Sequence, residues 1–197
     1  MNAVGFLELI LGPMFSGKTT RLIEIYNDLK DRHNVSVINF AEDTRYHDKM
    51  LSTHDRVMIP CLHARKIEDV MLSEEIQNSD VVLINEGQFF PDIYDSVMKL
   101  VETDKKKVYI CGLDGDFQRN TFGNLLKLVP YSDKISKLHS NCDRCDQRAI
   151  FSHRITCETS QVVIGSSNYI PLCRTCYCLL TNDVINKYSS TSANVSA

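Results

Sequence analysis

Three sets of residues have the types and spacing to do chemistry. The first is Gly12-Pro13-Met14-Phe15-Ser16-Gly17-Lys18-Thr19, which fits the pattern G-x-x-x-x-G-K-[ST]. Its two glycines let the backbone wrap until successive N–H groups point at phosphate oxygens, and the helix that follows adds its positive end. Lys18 then brings a charge to the β- and γ-phosphates, and the Thr19 hydroxyl a ligand for Mg²⁺. Binding of a nucleoside triphosphate is the reading that follows; its competitor is a Gly-rich strand-to-helix turn with no ligand.

The second set is Cys142-Asp143-Arg144-Cys145 and Cys173-Arg174-Thr175-Cys176. Each pair has the C-x₂-C spacing of a zinc knuckle, and two knuckles make a closed tetrahedral site with no position left for a substrate water. Structural zinc is expected at Cys142, Cys145, Cys173 and Cys176, with the residues between the pairs projecting as a loop clamped at its base. Four buried free thiols and a nucleic-acid-binding zinc ribbon are the competing readings. Cys61, Cys111, Cys157 and Cys178 are taken as packing or surface thiols.

The third set stands where apolar runs end. Val81-Val82-Leu83-Ile84 leads into Asn85-Glu86-Gly87-Gln88, and Val108 to Leu113 leads into Asp114-Gly115-Asp116-Phe117-Gln118-Arg119. In an open α/β sheet, ligands lie just beyond the carboxyl ends of the strands, so both clusters should face the crevice of the phosphate loop. Glu86 is the candidate general base for an attacking hydroxyl, or else a structural acid capping the next turn. Asn85 stands where phosphate-loop enzymes usually carry an Asp that holds Mg²⁺. Phe89, Phe90, Phe117 and Tyr169 lie near these loops, where a ring either packs into the core or stacks on a base.

The elements that must position these groups are legible from hydrophobic patterning. Phe6 to Leu11 reads as a buried strand, followed by a helix through Leu22, Ile25, Tyr26 and Leu29 to about residue 33 and a second strand over Val35 to Phe40. A right-handed β-loop-α-β unit and a parallel sheet flanked by helices are predicted. Residues 41–60 read as a long loop, Ile67 to Ile76 and Ile93 to Val101 as helices, and Lys105-Lys106-Lys107 as a solvated turn. Near residue 139 the composition turns cysteine-rich, with strand-like Ala149-Ile150-Phe151 and Gln161 to Gly165 and a helix from about Tyr177 to Tyr188. The expected organisation is an α/β phosphate-loop domain over 1–139, a zinc-binding unit over 140–188 and a disordered tail over 189–197.

Composition narrows the class further. The 197 residues carry a formal net charge of −3, with 43% hydrophobic and 24% charged residues, as in an ordinary globular protein. No apolar stretch reaches the length of a membrane span, so a soluble, cytoplasmic chain with no membrane partner is expected. Its eight cysteines then sit in a reducing compartment, where metal binding is the expected use. The negative charge predicts no general attraction to nucleic acid.

Taken together, the motifs resemble the type II thymidine kinases, the small zinc-containing family of cells and large DNA viruses. The resemblance covers about Leu7 to Tyr177. It rests on the phosphate loop, Asp43-Thr44-Arg45-Tyr46, Glu86-Gly87-Gln88-Phe89-Phe90-Pro91-Asp92, Leu113-Asp114-Gly115-Asp116-Phe117-Gln118-Arg119 and the paired cysteines, in that order. It implies an ATP- and Mg²⁺-dependent kinase that phosphorylates thymidine at the 5′-hydroxyl. Gly12 to Thr19 would hold the triphosphate, with Asp43, Thr44, Arg45 and Asn85 to Gln88 completing the phosphate side. Glu86 would be the proton acceptor, with Lys18 and Arg45 stabilising the transferring group. Phe117 would pack on thymine, with Phe89 nearby. The loop between the cysteine pairs is similar to the family's lasso: Val163, Ile164 and Gly165 would offer backbone groups to the base, Tyr169 would cover it, and Arg154 belongs to the same loop. A homotetramer, feedback by dTTP and, for a viral member, residence in host cytoplasm also follow from the resemblance.

Two residues depart from the family pattern: Asn85 replaces an Asp and Asp116 a Thr. Asn85 is the best support for a reading from another class, a phosphate-loop module whose zinc ribbon binds nucleic acid or a protein with little turnover. Against it, Arg144, Arg148, His153, Arg154 and Arg174 show no regular aromatic-basic interleaving, and the overall charge is negative.

Overall fold

The computed structural model describes residues 4–41, 50–52, 58–163 and 165–181. In chain order, β1 (Phe6–Leu11), α1 (Lys18–Leu29) and β2 (Val35–Phe40) form the opening unit. A hairpin of β3 (Met50–Ser52) and β4 (Met58–Pro60) follows, then β5 (Leu62–Ala64), α2 (Glu74–Gln77), β6 (Val81–Asn85), α3 (Ile93–Met98) and β7 (Lys107–Gly112). After β8 (Lys134–Lys137) come two short antiparallel pairs: β9 (Ser140–Asn141) with β10 (Arg148–Ala149), and β11 (Phe151–Arg154) with β12 (Tyr169–Leu172).

The central sheet has six strands in the order β5-β2-β6-β7-β1-β8, and each neighbouring pair is parallel. A parallel sheet is covered on both faces, which is why β6 is buried along its whole length. Strand alternation sorts the core into two layers. Leu7, Leu9, Leu11, Val82, Ile84, Val108 and Ile110 face Ile93, Val97, Leu100, Leu125 and Leu128, while Ile10, Val37, Leu83 and Cys111 face Leu22, Ile23 and Ile25 of α1. Because every strand runs the same way, β1, β2, β6 and β7 all end on one edge.

Several local expectations change. The stretch 67–76 is not one helix: it is a 3₁₀ turn (Ile67–Asp69) and the single turn of α2, separated where Ser73 caps α2 by accepting from Ile76 N. The Asp92 carboxylate takes the amides of Ile67 (3.1 Å) and Glu68 (2.8 Å), which fixes the first turn apart from the second. α3 ends at Met98 and continues as a π-helical turn, Lys99–Thr103. Lys106 is not solvated. It is 8% exposed, and its ammonium donates to the carbonyls of Gln77 (3.1 Å), the last residue of α2, and Ser79 (2.6 Å), just beyond it. Residues 161–163 form no strand, and the C-terminal helix begins at Arg174 rather than Tyr177. α1 stops at Leu29, and the loop expected over 41–60 contains the β3–β4 hairpin. The expected tail, 189–197, lies outside the described residues. Among those residues no helix is long and apolar enough to cross a membrane.

Candidate active site

The phosphate loop leaves β1 at Leu11 and re-enters helix at Lys18. Gly12 has φ 156°, and a Cβ there would meet the Leu138 carbonyl oxygen at 2.7 Å, so the chain past β8 walls the loop closely. Gly17, at φ 81°, makes the left-handed turn into α1. No acidic residue lies in the first turn of α1, which leaves the helix's positive end uncompensated for an anion. Lys18 is buried and donates to Pro13 O at 2.7 Å, folded back over its own loop. The Ser16 hydroxyl is buried with no hydrogen-bond partner among the described residues. Pro13 and Met14 complete the loop with Phe15, which adopts a left-handed φ of 63° and turns a half-exposed ring outward.

Thr19 looks across to the tip of β6. Its hydroxyl donates to Asn85 Oδ1 at 3.4 Å, the same oxygen that accepts from the Cys111 thiol at 2.9 Å. Asn85 Nδ2 donates to Asn39 Oδ1 at 2.8 Å, from the neighbouring strand β2. The amide is thus held from both ends, its oxygen toward the phosphate loop. Neither Asn39 nor Cys111 was expected here. Asn39 is signalled by a lone amide near the end of an apolar strand, whereas Cys111 reads like any packing thiol.

One residue on, Glu86 sits in the left-handed region (φ 57°, ψ 44°), a conformation costing a non-glycine residue about 1 kcal/mol or more. Gln88 holds it there. Gln88 Nε2 donates to Glu86 Oε2 at 2.6 Å, and Gln88 Oε1 accepts from Leu113 N at 3.0 Å, so one buried side chain spans the ends of β6 and β7. Gly87 is buried between them. Phe89 goes to an aromatic cluster, stacked on Phe40 at 5.2 Å and edge-on to Phe122 at 5.3 Å.

The loop after β7 joins the cysteine-rich unit. Lys137 pairs with Asp114 at 2.6 Å, and the Tyr177 hydroxyl donates to the Phe117 carbonyl at 2.7 Å. Arg154, 5% exposed, stacks its guanidinium 3.8 Å from the Phe117 ring centroid. The same guanidinium donates to the carbonyls of Glu158 (2.9 Å), Ser160 and Gln161 (3.0 Å), and to the Tyr169 hydroxyl (2.6 Å). Tyr169 in turn donates to Val163 O at 3.2 Å. Phe117, Arg154, Tyr169 and Val163 are therefore brought together, with Arg154 organising the loop from inside. Gly165 adopts φ 124° at the start of the 3₁₀ turn Ser166–Asn168. Ser152, on β11, accepts from Met14 N at 2.9 Å and ties the cysteine-rich unit to the phosphate loop, a contact no local pattern announces. Asp43, Thr44, Arg45 and Ile164 lie outside the described residues.

The sulfurs of Cys142, Cys145, Cys173 and Cys176 all lie within 4.8 Å of one another, a cluster positioned to bind a metal ion. Burial raises the Cys142 thiol pKa, but amide donors from Cys173 and Arg144 and the neighbouring thiols outweigh it and bring the value to about 6. Hydrogen bonding with Cys145 and Cys173 pushes Cys176 up to about 12. Cys178 is not part of the cluster.

A parallel sheet whose first strand runs into the loop Gly12 to Thr19, joined to a four-cysteine cluster positioned to bind a metal ion, defines an α/β protein of the phosphate-loop class. The family model for thymidine kinase matches residues 5–177. The chain belongs to the thymidine kinase family and is a phosphotransferase. It is 36% identical to thymidine kinase a of Arabidopsis thaliana, over 94% of this chain and 79% of the plant protein. It is 38% identical to the cytosolic thymidine kinase of Gallus gallus (88% of this chain, 77% of that one) and to the thymidine kinase of Sheeppox virus (89% and 98%).

Proposed function

We propose that the chain transfers the γ-phosphoryl group of ATP to the 5′-hydroxyl of thymidine. The observation that carries this reading is the Thr19–Asn85 contact of 3.4 Å, which joins the phosphate loop to the strand end bearing Glu86. Triphosphate and general base then share one sheet edge. Gly12 to Thr19 cradle the phosphates, Lys18 swings from Pro13 O onto the β- and γ-oxygens, and Glu86, aimed by Gln88, accepts the proton of the attacking hydroxyl.

The hydroxyl of Thr19 and the oxygen of Asn85 suit Mg²⁺ and a water in its shell, both being hard oxygen donors. When bound, the ion offsets charge on the β- and γ-phosphates. Asp43, Thr44 and Arg45 complete the phosphate side. Thymine lies against Phe117, with backbone groups of 163–165 reading its edge, Tyr169 covering it, Arg154 fixing the loop and Phe89 backing the site through the aromatic cluster. The metal at the four cysteines is zinc. Tetrahedral Zn–S bonds of about 2.3 Å separate sulfurs by about 3.8 Å, which agrees with 3.7 Å from Cys145 to Cys173 and 3.6 Å from Cys145 to Cys176. Residues 1–139 form the phosphate-loop domain and 140–188 the lasso domain. A homotetramer regulated by dTTP belongs to the same proposal.

The test is phosphorylation of radiolabelled nucleosides with ATP and Mg²⁺. Transfer to thymidine is expected. No transfer to any deoxynucleoside, together with salt-sensitive binding of single-stranded DNA, would instead favour a nucleic-acid-binding role.

A further inference from the structure

The structure assigns Asp116 and Gln161 as the clasp that holds the lasso onto the nucleoside side of the site, with Asp116 as a positioning residue. The inference rests on the proposed thymidine site and names what keeps it closed.

Asp116 is 7% exposed, one residue before Phe117, and its two oxygens do different work. Oδ1 accepts from the amides of Gln118 and Asn120, both at 2.9 Å, and closes the local turn with the Asp116 N to Asn120 O bond of 2.9 Å. That turn needs nothing more from the side chain. Oδ2 accepts from Gln161 Nε2 at 2.9 Å, across 45 residues of sequence. Gln161 is itself exposed, so this bond is not explained by packing. Its own carbonyl receives Arg154, and Val163, two residues on, receives Tyr169. The clasp therefore joins the loop carrying Phe117 to the segment that presents backbone groups to the base. A carboxylate has acceptor sites enough for both duties. A threonine, as in the family pattern, has a single oxygen.

Hydrogen bonds to charged groups are the stronger kind, and losing one is on the order of a tenfold change in an equilibrium. Q161A removes the clasp and leaves the Asp116 turn intact. In the full, metal-loaded chain it should raise KM for thymidine about tenfold, leave kcat and KM for ATP within about twofold, and speed amide exchange over residues 158–163. Q161E sets two carboxylates against each other and should do worse. Adding D116N to Q161E reverses the polarity, the new amide donating to the new carboxylate, and should recover most of both losses. The proposal is overturned if Q161A changes neither KM nor exchange, or if the double variant is no better than Q161E. A wild-type chain inert toward thymidine would defeat the proposed function, and the exchange measurement would still decide the clasp.

Discussion

Tyr177 follows the metal-site residue Cys176 directly, and its hydroxyl donates to the Phe117 carbonyl at 2.7 Å. A residue fixed by the cysteine cluster thus holds the backbone of the ring proposed to meet the base. Arg119 adds a second attachment, its guanidinium 4.6 Å from the Tyr177 ring centroid. Tyr177→Phe keeps the ring and removes one hydrogen bond, worth about 0.5–1.5 kcal/mol net. Thymidine affinity measured by calorimetry should fall severalfold, with ATP affinity unchanged. Equal losses for both ligands would mean that the bond serves only general stability.

Metal removal acts on the same connection more severely. A chelator strong enough to strip the four cysteines should increase amide exchange across residues 142–176 and abolish thymidine binding. Unchanged thymidine binding by the stripped protein would separate the cluster from the site.

Glu86→Gln keeps the shape of the β6 tip and removes the proton acceptor. It should lower kcat by roughly 10²-fold or more while KM for thymidine moves little. Near-full activity would take Glu86 out of that role and leave its left-handed backbone a purely structural feature.

Asn85→Asp places a charge opposite Thr19. It should strengthen Mg²⁺ binding by about 1–2 kcal/mol, roughly tenfold, seen as a lower Mg²⁺ concentration for half-maximal rate. Asn39 must rotate its amide to donate to the new carboxylate, so Asn39→Ala should blunt the gain. A Mg²⁺ dependence that does not move would show that the amide at 85 is no weakness.

His153 makes stability depend on pH. Burial, and then the charge of Arg144, lower its pKa from the ordinary 6.5. As pH falls through about 6.5 the unfolded chain gains a proton before the folded one does. Stability should therefore decline from there down to the depressed folded value and then level. Urea midpoints of metal-saturated protein at a series of pH values should show this slope, and His153→Gln should reduce it. An identical slope in the variant would assign the effect elsewhere.

The candidate site is legible where a polar cluster follows an apolar run: the phosphate loop after β1, Asn85 and Glu86 after β6, and the 114–119 cluster after β7. An all-parallel sheet brings such tips to one edge, so the topology converts sequence signals directly into proximity. Side-chain contacts across long separations leave no such trace. Met14 meets Ser152 over 138 residues, and neither neighbourhood announces the other. Gln161 to Gly165 read as a strand because Val162, Val163 and Ile164 are apolar and β-branched. The carbonyls such a strand would pair are instead occupied, Gln161 O by Arg154, Val162 O by Ser160 and Val163 O by Tyr169. Lys106 departs from the solvated turn for a related reason, since a run of lysines says nothing of which one meets the carbonyls of Gln77 and Ser79.

The strand order has a consequence for how the chain acquires its shape. Leu9 of β1 pairs with Ile110 on one side and Ile135 on the other. β1 precedes both partners in the chain and is therefore without either neighbour until β7 and β8 have been synthesised. Such long-range parallel pairing is slow to form and leaves apolar edges open to self-association in the interim. The phosphate loop, which leaves β1, thus gains its sheet support only when strands about 100 residues or more further along are in place.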